Sequence, residues 1–167
     1  MKSRSKRYED GGGEEMIVGD IMDRDLTSLA EETTLLEAIS LMGIHSISGL
    51  PVLNTAGRVV GFLSEKDVLN AIIPGYLGYM DENFRMPGID KIKAMVKRVG
   101  HNPTRDYMTK NYIAFDEFET ISNAMMILFR KNIRRAPVAR DGMLIGMVDR
   151  EEILRGLVQD NFEDDEV

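Results

Sequence analysis

Val59-Val60-Gly61-Phe62-Leu63-Ser64-Glu65-Lys66-Asp67 is an apolar, β-prone run that ends in Ser-x-x-Asp, and a helical pattern follows it through Ile72. Serine ahead of such a run, with an acid three residues on, marks a helix N-terminus. The hydroxyl accepts a backbone N–H, and the carboxylate suits the positive end of the helix dipole. The same arrangement returns at Leu144-Ile145-Gly146-Met147-Val148-Asp149-Arg150-Glu151-Glu152.

Working outward, the residues around the first copy predict one repeating unit, 16–73. Asp20-Ile21-Met22 opens it, and Leu26 to Leu29 reads as a short strand. Thr34 starts a helix with Glu37 three residues later, a capping box. Leu35, Ala38, Ile39 and Met42 form its apolar face. Ser48-Gly49 leads into a strand at Leu50 to Leu53, residues 54–57 turn, and Arg58 to Leu63 is the next strand. Displaced by 86 residues, Asp106, Met108, Thr120, Ile121, Ala124, Met125, Leu128, Ile133, Pro137 and Val138 match Asp20, Met22, Thr34, Leu35, Ala38, Ile39, Met42, Ile47, Pro51 and Val52. The turn at Asp141-Gly142 is one residue shorter, so Gly146 matches Gly61 at 85. A repeat that keeps both apolar faces and changes length only in a turn predicts a second unit over 103–158. Two copies are too few for a solenoid. They are expected to pack face to face about a pseudo-twofold axis.

Between the repeats, 74–102 is punctuated by Pro74, Gly75, Gly78, Pro87 and Gly88, and Tyr76, Tyr79 and Phe84 add aromatic bulk. Ile89 to Val99 predicts a helix with Ile92, Met95, Val96 and Val99 on one face, ended by Gly100 and Pro103. The stretch therefore reads as a packed insertion covering part of the module or a partner subunit. Residues 1–15 read as a disordered arm, and 159–167 as an acidic tail.

Composition narrows the function. Apolar residues make up 43% and charged residues 29%, as in a folded domain. The formal charge of −7 argues against a nucleic-acid binder, which needs a basic face. With no Cys there is no disulfide, thiolate metal site or Cys nucleophile. His45 and His101 lie far apart, which disfavours a His-rich metal site, and His45 reads as structural. No apolar run approaches the roughly 18 residues of a membrane span, and the N-terminus is not a signal peptide, so a cytoplasmic location is expected. The twelve Met residues fall mainly at apolar helix positions and read as core filling. No Ser/His/Asp set, metal cluster or Walker-type phosphate loop is visible, so the chain is expected to be non-catalytic.

The paired Asp-x-Met motifs resemble those of the cystathionine-β-synthase (CBS) domain. So do Gly49-Leu50-Pro51-Val52, Arg135-Ala136-Pro137-Val138 and the Gly61-to-Asp67 stretch. The resemblance covers about residues 16–73 and 103–158. It implies an α/β fold of the α+β type: two pseudo-symmetric CBS repeats packed as one Bateman module, with small mixed sheets and helices. It also implies two clefts that take adenosyl ligands such as AMP, ADP or ATP, and a homodimer shaped as a flat disk. With no effector domain visible in the sequence, any output is expected to pass to a separate effector protein or through assembly. The alternative is an interaction or scaffold module with empty or purely structural clefts.

In that family Ser/Thr-x-x-Asp holds ribose and phosphate. Carried over, Asp67 accepts ribose hydroxyls and Ser64 caps and binds together, with helix N–H groups offered to phosphate. The first cleft would combine Ser64, Asp67 and Ser48 with Thr109, Ala114, Ile133, Arg134 and Arg135. Ala114 and Ile133 serve either to sandwich adenine or as plain core. Arg134 and Arg135 serve either as a phosphate fork or as solvated cations at a helix end. The second cleft would hold Ser28, Ile47, Asp149 and Glu152. There Asp replaces Ser and Glu replaces Asp, so weaker binding is expected.

Overall fold

A computed structural model describes residues 15–73 and 87–163. The architecture is α+β, with short helices and two small sheets. In chain order the elements are α1 (Val18–Ile21), β1 (Leu29–Ala30), α2 (Leu35–His45), β2 (Gly49–Leu53), β3 (Val59–Ser64), α3 (Glu65–Ile72) and α4 (Ile89–Val99). A 3-10 turn (Thr104–Asp106), α5 (Ile121–Arg130), β4 (Arg135–Arg140), β5 (Met143–Asp149) and α6 (Arg150–Glu163) follow.

Local sequence accounts for most boundaries. Thr34 caps α2 through the expected box: its hydroxyl accepts the Glu37 N–H, and Glu37 accepts the Thr34 N–H at 2.9 Å. Leu35, Ala38 and Met42 bury the α2 face. Asp141 and Gly142 both take positive φ, 52° and 80°, which is the two-residue hairpin turn that suits the twist of β4 and β5. Four boundaries differ from expectation, the second strand starting at Gly49 rather than Leu50. The first strand is only Leu29–Ala30, because just these two residues pair in parallel with Val52 and Leu53, while Leu26 is half exposed. The third strand runs Val59–Ser64, one residue later than expected, since Gly49 opens β2 opposite Ser64. Helix α6 continues to Glu163, past the expected end at 158. Tyr76, Tyr79, Phe84, the N-terminal arm to residue 14 and the last four residues lie outside the described residues.

The chain forms two compact units, and these cut across the linear division expected from the repeat. One comprises Leu26–Ile113 with Asp141–Leu144. The other comprises the described residues up to Asp25, Ala114–Arg140, and those from Ile145 on. Each repeat's leading segment therefore packs with the other repeat's sheet. In the first unit, Thr109 and Phe62 exchange backbone hydrogen bonds of 2.8 and 3.0 Å, so the 103–113 segment runs along β3. In the second unit, Asp23 and Met147 exchange bonds of 2.9 and 2.8 Å along β5. The core of the first unit gathers Leu35, Leu50, Val52, Leu63, Val68 and Met108, with Val99 of α4 against it. In the second, Val18, Leu128, Val138, Met147, Val148 and Ile153 are buried. Phe115 bridges Val138 in parallel, as Leu29 pairs with Val52.

Candidate functional site

Each unit presents a strand-to-helix corner. In the first unit β3 ends at Ser64, which caps α3. Asp67 at the third helical position turns back on it. Its Oδ2 accepts the Ser64 N–H at 2.8 Å and the Ser64 hydroxyl at 2.5 Å. Its own N–H donates to Ser64 Oγ at 3.3 Å. Its Oδ1 accepts the hydroxyl of exposed Thr109 at 3.1 Å. The carboxylate is thus half-buried, fixed on one oxygen by its own helix, and joined on the other by a solvent-facing hydroxyl. Oδ2 already accepts two bonds, so a diol from outside can donate only to Oδ1, once Thr109 yields. Ser48 lies at the same corner, where its carbonyl accepts the Glu65 N–H at 3.0 Å. Two of the first three α3 N–H groups are therefore already engaged, by Ser48 and Ser64. This narrows the expected role of the helix N-terminus toward phosphate.

In the second unit β5 ends at Asp149, whose Oδ1 accepts the N–H groups of Glu151 and Glu152 at 2.7 and 3.0 Å. Glu152 Oε2 accepts the Asp149 N–H at 2.6 Å. The capping box survives with two carboxyl groups in contact. Burial, then the contact with Asp149, pushes Glu152 up to about 7, with Arg135 opposing. Asp23, the counterpart of Thr109, pairs with Arg135 Nη2 at 3.8 Å. The Arg135 side chain is 12% exposed, and its Nε is buried with no partner among the described residues.

Of the residues expected in the first cleft, Ser48, Ser64, Asp67 and Thr109 come together in the first unit. Ala114, Ile133, Arg134 and Arg135 belong to the second. Ala114 is exposed and Ile133 half-buried, so neither is plain core. Arg134 is exposed, whereas Arg135 turns into its own unit toward Asp23. Of the second-cleft set, Asp149 and Glu152 meet in the second unit, while Ser28 and Ile47 are half-buried in the first. Sequence reasoning missed two residues. Asp23 could have been found, since it sits 86 residues before Thr109. Arg150 gave no signal, because Glu65 holds its place in the first repeat. It clamps the loop before β4, donating from Nε to the Ile133 carbonyl at 2.9 Å and from Nη2 to Leu128 at 3.0 Å. His45 is exposed at the last residue of α2, where a basic group suits the dipole.

Among the described residues, no group of three or more His, Cys, Asp or Glu could hold a metal ion, and no helix is long and apolar enough to cross a membrane.

Known proteins share this fold. The CBS domain family matches residues 18–74 and 105–159. The chain is 32% identical over 158 residues to protein MJ1426 of Methanocaldococcus jannaschii, covering 87% of this chain and 94% of that one. Of three other relatives it spans 64%, 43% and 22%. The fold is similar to that of CBSX2 in complex with AMP, at a TM-score of 0.67 and 23% identity, covering 87% of this chain and 98% of that one. CBSX2 is a protein of Arabidopsis thaliana. The fold is also similar to the CBS domain pair of MJ0100 in complex with 5′-methylthioadenosine and S-adenosyl-L-methionine, at 0.64 and 20%, with coverage of 87% and 98%. With two matched repeats over most of its length, the chain belongs to the CBS domain family.

Proposed function

We propose that this chain is a non-catalytic regulatory module that binds an adenine nucleotide or another adenosyl ligand and signals through its dimer. The observation that carries the reading is the half-buried Asp67 carboxylate, held at the start of α3 with Thr109 as its replaceable partner. A ribose diol displaces the Thr109 hydroxyl, and the half-buried setting strengthens the bonds. The AMP, methylthioadenosine and S-adenosylmethionine complexes of the similar CBS pairs support this ligand class. Binding shifts the module only by the ligand's difference in affinity for two states. A separate effector protein reads the change.

Apolar helix faces supply the docking surface. Ile39, Met42, Ile47, Val68 and Leu69 line a groove of about 570 Å³ along α2 and α3. On α5 and α6, Met125, Phe129, Leu154 and Val158 are exposed, Phe129 by 77%. Exposed apolar surface of this kind marks an association face. We assign it to a second copy of this chain. The same face favours the alternative reading, an interaction module whose clefts take no ligand.

A thermal-shift screen with AMP, ADP, ATP and S-adenosylmethionine tests the function. A ligand at 100 times its Kd stabilises by about 2.7 kcal/mol, or about 5–10 °C for a chain of this size. The shift is expected for at least one of the four and is lost in Asp67→Ala. No shift from any compound decides for the interaction module.

A further inference from the structure

The two corners are built on one plan, but four matched positions differ together. Around α3 stand Ser64, Asp67, Thr109 and Gly49; around α6 stand Asp149, Glu152, Asp23 and Arg135. Gly49 leaves the first corner without a side chain, and none fits there. An added Cβ would lie 2.6 Å from the Phe62 ring and 2.9 Å from the Leu63 carbonyl. Gly49 pairs with Ser64 in register, so this bare backbone lies directly beside the cap. At the matching place in the second unit a long cationic side chain is folded inward, 12% exposed.

The charge pattern explains why it stays there. Replacing Ser by Asp149 and Thr by Asp23 turns one carboxylate into three. Arg135 is the cation facing them from β4: its Nη2 lies 3.8 Å from Asp23, and its charge acts on Glu152. Arg150, the first residue of α6, is committed to the Leu128 and Ile133 carbonyls. An Arg held for solubility would extend into water, as exposed Arg134 does. Arg135 instead buries Nε with no partner among the described residues, beside the carboxylate of Asp23.

We propose that Arg135 closes the corner at the start of α6 as an internal occupant, so that each chain takes one adenosyl ligand, at the corner around Asp67. This rests on the function proposed above. A ribose would have to displace a guanidinium paired with Asp23, and a phosphate would meet the negative charge of Asp149.

Equilibrium dialysis against labelled AMP tests it by counting. Wild-type protein is expected to bind one AMP per chain, and Asp67→Ala none. The fourfold variant Asp23→Thr, Arg135→Gly, Asp149→Ser, Glu152→Asp rebuilds the α6 corner in the image of the α3 corner. It is expected to bind two, one of which survives Asp67→Ala. Two AMP per wild-type chain, or no gain in the variant, overturns the proposal. If wild type binds no AMP, the Asp67 corner does not take this nucleotide and the thermal-shift screen decides the function reading, while a gain of one in the variant still supports the closure and no gain overturns it. Should the fourfold variant not fold, Arg135→Gly alone is dialysed against adenosine, which carries no phosphate for Asp149 to repel. A gain of one equivalent over wild type supports the closure, and an unchanged count overturns it.

Discussion

Glu152 shows how one methylene and one neighbour change a carboxyl group. Asp67, its counterpart, bonds a hydroxyl, whereas Glu152 meets Asp149, and two carboxyl groups in contact do not both ionise readily. Its folded pKa of about 7 lies above the ordinary 4.5, so between those values the folded chain holds the extra proton. Stability from this group is therefore full below about pH 4.5 and falls as pH rises to about 7. Converted directly, each pH unit is worth about 1.4 kcal/mol. Glu152 is only half-buried, and solvent screening reduces the loss to the order of 1 kcal/mol. Urea midpoints at pH 5 and pH 8 measure it, and Glu152→Gln is expected to flatten the difference. A Glu152→Gln protein as pH-sensitive as wild type would place the titration elsewhere.

At the scale of elements, Gly61 in β3 and Gly146 in β5 explain why the family motifs come in pairs. The methionine of each Asp-x-Met segment lies across the glycine of the opposite strand. A Cβ on Gly61 would run into the Met108 thioether. One on Gly146 would come within 2.7 Å of the Asp23 carbonyl and 2.8 Å of Met22 Sδ. A thioether can swing aside, but a backbone carbonyl engaged in a ladder cannot. Gly146→Ala is therefore expected to cost more than Gly61→Ala, within the roughly 1–3 kcal/mol of overpacking. Chemical denaturation of the two variants side by side measures the order. Equal or reversed costs would show that the two leading segments yield alike.

At the scale of the molecule, the exchanged leading segments mean that residues 16–73 or 103–158 cut out alone lack the strand that closes their sheet. Exposed Phe129 and Leu154 are the side chains that the proposed homodimer would cover. Phe129→Asp together with Leu154→Asp is expected to turn the dimer into a monomer in light scattering at micromolar concentration, while the circular dichroism spectrum stays native. A double variant that remains dimeric would move the interface to another face, and a wild-type monomer would overturn the homodimer.

Hydrophobic spacing and capping chemistry are local properties, and they were readable from the chain alone. The two repeats, the α2 capping box, the extent of α4 and the Ser64–Asp67 corner follow from residues within one turn or one strand of each other. The resemblance carried by the motifs fixed the family in the same way. Three features depended on residues far apart in sequence. Thr109 reaches Asp67 across 42 positions, Met22 packs on Gly146, and Arg135, for which the chain alone left a phosphate fork and a solvated cation open, lies beside Asp23. Which side chain faces which carboxylate is set by the exchange of the leading segments between sheets. No local pattern encodes that exchange, because the energy that selects it comes from closing each sheet and core with the other repeat's segment.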